Sequence, residues 1–276
     1  MTPADELLKR ITRWAKEKDD IRAAILIGSR ARKGAVDQLS DIDLHLFSTD
    51  IVHYFEDDAW LHQLGTVWLT RQLRESNTCK VIYEDGLMVE FFFSQVEALK
   101  PIQAELPTQY QTGFKILFDK DRLARRLPKA SGIQASPDHP TEELFKREVE
   151  SFWWDAFQYA KYLWRDELWR CKHYDWQLKQ HLLKIMGWHA LLCRKQTNFT
   201  TYQGTHLKQW VDAEVYIGLM AAFGRFYPAD SWRALDETTK IYASLVEEVA
   251  QALNVKSFTP LRDQFKSWKN ALLEVE

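Results

Sequence analysis

Cysteine is scarce in this 276-residue chain. Cys79, Cys171 and Cys193 are three in number, widely spaced, and form no C-x-x-C pair. That excludes a disulfide framework and a zinc knuckle, both of which need paired or clustered thiols. Reduced, buried thiols in a cytoplasmic protein are expected. Long apolar runs are also missing. Ala23–Ile27 and Phe91–Phe93 are strand-sized, whereas a membrane span needs roughly 18–20 residues. Met1–Arg10 has no apolar segment of the kind a secretory signal carries, so none is expected. Excess charge of one sign is absent, with 37 Lys+Arg against 39 Asp+Glu and a formal net charge of -2. Neither a nucleic acid nor an anionic membrane is therefore an expected partner, because both select a basic excess. The eight histidines show no H-E-x-x-H or similar ligand spacing, so a histidine-based metal site is not expected.

Aromatic residues are abundant: 12 Trp, 15 Phe and 10 Tyr. They imply either a large core or flat, rigid surfaces for a ligand. Eight of the 12 tryptophans lie between Trp153 and Trp232, so the surplus belongs mainly to the second half of the chain.

The two halves differ in pattern. Leu7, Leu8, Ile11, Trp14 and Ala15 recur at helical steps. Strand-like runs follow at Ile21–Ile27, Asp41–Phe47, Thr66–Leu69, Lys80–Tyr83, Leu87–Phe93 and Lys115–Phe118. Asp85-Gly86 between two of these runs predicts a hairpin. Helices are expected at Ile51–Leu64 and Arg122–Arg126. Leu127–Pro140 (LPKASGIQASPDHP) has the composition of a boundary. Beyond it, from the N-cap signal Thr141-Glu142-Glu143, helical periodicity replaces the strand pattern. The expected fold class is α+β. An N-terminal domain (1–133) with a mixed β-sheet and flanking helices is followed by a C-terminal α-helical bundle (134–276).

The stretch from Ile25 to Phe47, ILIGSRARKGAVDQLSDIDLHLF, carries the most chemistry. A strand ends at Gly28-Ser29, a basic segment follows, and Asp41-Ile42-Asp43 opens the next strand. Alternation puts Asp41 and Asp43 on one face, with Ile42, Leu44 and Leu46 on the other. Two carboxylates so placed repel unless a cation lies between them, and Mg²⁺ prefers such oxygen ligands. In the return strand of the hairpin, Val89, Phe91 and Phe93 share a face and leave Glu90 on the opposite one. A carboxylate inside Leu-Met-Val-Glu-Phe-Phe-Phe needs a partner or a metal. Gly28 and Ser29 offer a close backbone approach and a hydroxyl to phosphate oxygens, with Arg30, Arg32 and Lys33 as nearby cations. An alternative reading treats the same residues separately, as a turn, solvated charge and a structural salt bridge.

This arrangement resembles the nucleotidyltransferase superfamily that includes DNA polymerase β, marked by Gly-Ser followed by Asp-x-Asp. Within it the chain resembles the aminoglycoside 6-adenylyltransferases, the streptomycin-modifying group. The matching stretches are Gly28–Ala31 (GSRA), Asp41–Asp43, Lys115–Asp121 (KILFDKD), Glu150–Trp154 (ESFWW), Ala160–Leu168 (AKYLWRDEL), Leu182–Lys184 and Thr197–Phe199. The resemblance implies transfer of AMP from ATP to an aminoglycoside hydroxyl, conferring resistance. It also implies Asp41, Asp43 and Glu90 as catalytic carboxylates and ligands of Mg²⁺, expected as two ions. Gly28, Ser29, Arg30, Arg32 and Lys33 would bind the nucleotide. The chain departs from the family pattern in three places. The Gly-Ser to Asp-x-Asp spacing is one residue shorter, Glu90 stands where Asp is usual, and Gly204-Thr205 stands where Gly-Lys is usual.

For the acceptor, a single helix over Phe152–His173 would align Asp155, Tyr159, Tyr162, Asp166, Trp169 and His173 in one stripe. An acidic, aromatic stripe suits a guanidine-bearing polycation. With Trp164 and Glu167, which lie in the WRDEL run, this gives Asp155, Tyr159, Tyr162, Trp164, Asp166 and Glu167 as acceptor candidates. The other reading is an exposed face or a packing surface. A monomer acting on small molecules is expected. A different acceptor, including a protein hydroxyl, and a nucleotide-binding homologue without catalysis are the alternatives.

Overall fold

The computed structural model describes residues 2–32, 36–132, 137–256 and 258–274. The chain forms two compact units, 1–134 and 135–276. None of the helices is long and apolar enough to cross a membrane, among the described residues.

The first unit contains α1 (Pro3–Glu17), β1 (Ile21–Ile27), β2 (Ile42–Ser48), α2 (His53–Glu56), α3 (Ala59–His62), β3 (Val67–Leu73), β4 (Thr78–Tyr83), β5 (Met88–Gln95), α4 (Leu99–Ala104), α5 (Thr108–Gln111) and β6 (Lys115–Asp119). A capping box starts α1: the Asp5 amide donates to the Thr2 hydroxyl at 3.2 Å, and the Thr2 amide donates to the Asp5 carboxylate at 3.0 Å. The six strands form one sheet in the order β3-β4-β5-β2-β1-β6. Only β2 and β5 run parallel, and the remaining pairs are antiparallel. Both faces are covered. Leu44, Leu46, Phe91 and Phe93 pack with Leu7, Ile11, Trp14 and Trp60 on one side. Ile25, Ile27 and Phe47 pack with Leu99, Ile102 and Tyr110 on the other. A sheet covered twice in this way needs the near-continuous apolar strands that the sequence supplies.

The Asp85-Gly86 hairpin forms. Asp85 and Gly86 take φ of +63° and +73°, and the Tyr83 amide donates to the Leu87 carbonyl at 2.8 Å. Such positive φ values are what Asp-Gly tolerates at low cost.

Two expected helices differ from the reading of the sequence. Ile51–Leu64 is broken into α2 and α3, because Asp57 adopts an extended backbone and its carboxylate accepts from the Ala59 amide at 2.7 Å. A side chain that binds the backbone locally competes with the helix ladder. Arg122–Arg126 is a loop with one 3-10 turn at Ala124–Arg126. There Asp119 accepts from the Leu123 and Arg125 amides at 3.1 and 2.9 Å.

The second unit is helical: α6 (Glu142–Trp164), α7 (Leu168–Leu192), α8 (Leu207–Trp210), α9 (Ala213–Ala222), α10 (Pro228–Leu253) and α11 (Thr259–Leu273). Thr141 caps α6, its hydroxyl accepting from the Leu144 amide at 3.1 Å. The core is aromatic. Phe152 and Tyr242, both fully buried, stack with ring centroids 3.5 Å apart and planes 6° from parallel.

The single helix expected over Phe152–His173 does not exist. Helix α6 stops at Trp164, Asp166 takes a left-handed φ of +56°, and α7 begins at Leu168. The Asp166 amide donates to the Leu163 carbonyl at 3.1 Å, and the Glu167 amide to the Tyr162 carbonyl at 3.0 Å. These bonds close the helix end with a left-handed residue, a position that Asp accepts more readily than most side chains. The continuous stripe is therefore absent.

Candidate active site

The site begins with strand register. Asp43 of β2 lies opposite Ile27 of β1 and Glu90 of β5, and Glu90 lies opposite Lys80 of β4. Directly paired positions share a face of the sheet. Lys80, Glu90 and Asp43 consequently form one row across three strands, on the same face as Phe47 and Phe92. Asp41 is placed just before β2 rather than inside it. It is delivered by a turn in which Asp37 accepts from the Leu39 amide and the Ser40 hydroxyl, both at 2.9 Å.

Gly28 closes β1 against this row. Its φ of +70° and ψ of −157° fall in a region open essentially to glycine alone. A Cβ there would lie 1.9 Å from Oδ2 of Asp43. The Gly28 backbone and the Asp43 carboxylate thus share a space that no side chain can enter. Ser29–Ala31 forms one 3-10 turn, with the Ala31 amide donating to the Gly28 carbonyl at 3.2 Å.

The electrostatics show an excess of negative charge. Burial first, then Glu90 and Asp41, push the Asp43 carboxyl up to about 6. Burial and Glu90 also raise Asp41, opposed by Lys80 and Arg30. Each carboxylate makes its neighbour harder to ionise, and a bound cation would relieve this.

The positive groups are distributed unequally. Arg30 is committed to the fold: its Nε donates to the Ser40 carbonyl at 2.9 Å, and a terminal nitrogen lies 3.8 Å from Asp5. Arg32 is exposed and within electrostatic reach of Asp43. Lys33 lies outside the described residues. Lys80, which lies outside the sequence motif, makes a very short ion pair with Glu90. The signal was available, since Lys80 and Glu90 are equidistant from Asp85 at the hairpin tip.

A hard divalent cation fits the chemistry of these donors, three carboxylates with charge to neutralise. The donors are not assembled into a cage: among the described residues, no group of three or more Asp, Glu, His or Cys side chains is placed to hold a metal ion. Lys80 holds Glu90 instead. His45, two residues along from Asp43, is not a spare ligand. It bonds Tyr110 and Ser94 at 2.7 and 2.8 Å, and burial pushes it down to about 4.

The acceptor candidates divide into three kinds. Tyr159 is a core residue, fully buried, with its hydroxyl donating to the Ser231 carbonyl at 3.3 Å. That removes it from any exposed stripe. Tyr162 is buried between the Arg170 guanidinium, 3.7 Å from its ring centroid, and the ring of Tyr174. Asp155 lies 3.2 Å from Nε2 of His181. Through Nδ1 the same imidazole bonds buried Glu148 at 2.5 Å, and Lys184 donates to Glu148 at 2.6 Å. Trp164, Asp166 and Glu167, by contrast, are exposed at the corner between α6 and α7.

The profile of the Streptomycin adenylyltransferase family matches residues 1–270. The chain belongs to this family. An aminoglycoside 6-adenylyltransferase of Campylobacter jejuni is 25% identical over 273 residues, covering 96% of this chain and 93% of the relative. One from Bacillus subtilis (strain 168) is 22% identical over 273 residues, covering 93% of each. A crystal structure of an aminoglycoside 6-adenyltransferase from Bacillus subtilis overlays 99% of this chain and 100% of that one, with 17% identity and a TM-score of 0.47. Membership makes the protein a nucleotidyltransferase and gives the Asp43–Glu90 row a chemical context.

Proposed function

We propose that this chain transfers AMP from ATP to a hydroxyl of an aminoglycoside, with streptomycin the acceptor to test first, and so confers resistance. The observation that carries this reading is the placement of Asp43 beside Glu90 in the parallel β2–β5 pair, directly against the Gly28-Ser29 turn. Family membership from end to end and the names of the relatives support it.

Asp41, Asp43 and Glu90 would hold Mg²⁺, which when bound neutralises triphosphate charge and stabilises the oxygens entering and leaving phosphorus. The chain's own contributions follow from placement. Gly28 allows the backbone to approach a phosphate, and the Ser29 hydroxyl can bond to it. In the reaction, an acceptor oxygen–Pα bond forms, the Pα–O–Pβ bond breaks, and pyrophosphate leaves. The hydroxyl proton passes to a carboxylate oxygen of the set. Trp164, Asp166 and Glu167 are the exposed groups that suit a guanidinium, by ring stacking and charge-assisted hydrogen bonds.

The test is incubation of the purified protein with ATP, Mg²⁺ and streptomycin. Pyrophosphate release is expected, together with AMP-modified streptomycin in the mass spectrum. Asp43→Asn should lower the rate by at least about 10²-fold while leaving the fold intact, because it keeps the shape and removes the charge of a group acting at the reacting centre. Absence of release with streptomycin, but modification of another compound in an acceptor panel, would move the specificity and keep the chemistry. Absence of release with every acceptor would end the proposal.

A further inference from the structure

Lys80 has no part in the motif that marks the superfamily, yet it is the only cation bonded to a site carboxylate among the described residues. It stands on β4 opposite Glu90, two strands from Asp43. The pair is partly open to solvent, with 42% of the Lys80 side chain and 23% of the Glu90 side chain exposed. Lys80 bonds Glu90 and is within electrostatic reach of Asp41 and Asp43. The two arginines within reach cannot replace it. Arg30 is held by the Ser40 carbonyl, and Arg32 is bonded to none of the three.

An ammonium bonded to Oε1 of Glu90 weakens that carboxylate as a ligand for a divalent ion, because it occupies one oxygen and adds a repelling charge beside the site. Register fixes this competition. Lys80 and Glu90 are cross-strand neighbours in a hairpin whose turn sets their pairing, so the ammonium cannot be far from the ligand it occupies.

We infer that Lys80 is a positioning residue that serves as an internal counter-ion at Glu90 in the metal-free enzyme. It gives up Glu90 when a divalent cation binds, and it thereby sets how tightly that cation is held before nucleotide arrives. The inference rests on the reading of Asp41, Asp43 and Glu90 as the cation's ligands. It concerns binding alone and needs no acceptor.

The experiment measures Mn²⁺ affinity from the spin-resonance signal of free Mn²⁺, in the absence of nucleotide. The proteins compared are the full-length wild type, K80M, K80R, D43N and E90Q. K80M should bind Mn²⁺ about three- to tenfold more tightly than wild type, the scale expected when a unit charge is removed a few ångströms from a divalent ion in a water-exposed site. K80R keeps the charge and should match wild type within about twofold. The gain from K80M should shrink when it is combined with E90Q, since the competition for that carboxylate is then gone and only the longer-range charge of Lys80 remains. Unchanged or weaker affinity in folded K80M overturns the inference, as does a gain that persists undiminished with E90Q. K80Q provides the same reading should K80M fail to fold. If wild type binds no Mn²⁺ that D43N abolishes, the ligand assignment itself falls and takes the inference with it.

Discussion

Gly28→Ala separates backbone strain from damage to the site. Gly28 holds φ +70° and ψ −157°, and forcing a side-chain-bearing residue into that region costs about 1–3 kcal/mol. A domain of ordinary stability, roughly 5–15 kcal/mol, remains folded after such a loss. The second effect is local. The new Cβ would fall 1.9 Å from Oδ2, 2.9 Å from Cγ and 3.2 Å from Cβ of Asp43. Because the nearest atom ends a rotatable side chain, Asp43 can swing away at modest energetic cost, and the site is what suffers. A displacement of about 1 Å at a reacting centre is worth on the order of 10²-fold in rate. Gly28→Ala should therefore unfold at lower urea, by an amount equivalent to about 1–3 kcal/mol. Its kcat for pyrophosphate release should fall by about two orders of magnitude. Gly86→Ala is the control, since Gly86 also has a positive φ, +73°, but nothing within 4 Å of the added Cβ. It should lose stability and keep its rate within about threefold, because no reacting group moves. A Gly28→Ala enzyme with near wild-type kcat would refute the claim that this glycine exists to make room for Asp43. So would a Gly86→Ala enzyme equally impaired.

Further outcomes follow from the helical unit. Glu148 is lowered from 4.5: burial opposes ionisation, but bonds from His181 and Lys184 prevail. His181 is raised from 6.5: burial opposes protonation, but Glu148 and Asp155 prevail. The carboxylate's contribution is present above about pH 4.5 and is lost as pH falls through its depressed value. The imidazole's contribution is present below about pH 6.5 and is lost as pH rises through its elevated value. The stability advantage of wild type over His181→Gln, taken from urea midpoints, should be greatest between those limits and shrink on both sides. A pH-independent difference would show that the imidazole charge contributes nothing. Phe152→Ala empties half of a buried stack and should cost about 3–5 kcal/mol in equilibrium unfolding. A loss under about 1 kcal/mol would mean the core closes over the gap.

The parts of the fold legible in the sequence were those written in local patterns. Ile21–Ile27 is apolar apart from Arg22, bounded by Asp20 and Gly28, and matches β1 residue for residue. Asp85-Gly86 announced its hairpin because few dipeptides tolerate two consecutive positive φ values. Asp43 and Glu90 stood out as carboxylates inside otherwise apolar runs. Other features depended on information that no short window contains. The break at Arg165–Glu167 has neither glycine nor proline to mark it, and only the left-handed Asp166 reveals it. Tyr159 belongs on paper to an acidic, aromatic stripe. Its burial follows from packing within a helical bundle, one partner of which lies 72 residues away, as its bond to Ser231 shows. Lys80 is illegible in the sequence for a different reason. A lysine on an alternating strand reads as a solvent-facing residue until pairing shows which carboxylate it meets.

The parallel pairing of β2 with β5 gives this enzyme an uneven tolerance to changes in length. The chain leaves β2 at Ser48 and returns to it at Met88, after two short helices and two antiparallel strands. A residue inserted among 49–52, ahead of the first short helix, lengthens a loop, which is entropically cheap. A residue inserted between the hairpin tip and Glu90 reverses the alternation of β5, turning Val89 toward Asp43 and the carboxylate into the apolar core. Changes in length are therefore tolerated in that loop, while a single codon gained or lost in β5 would take Glu90 from its place beside Asp43 without altering any of the motif residues.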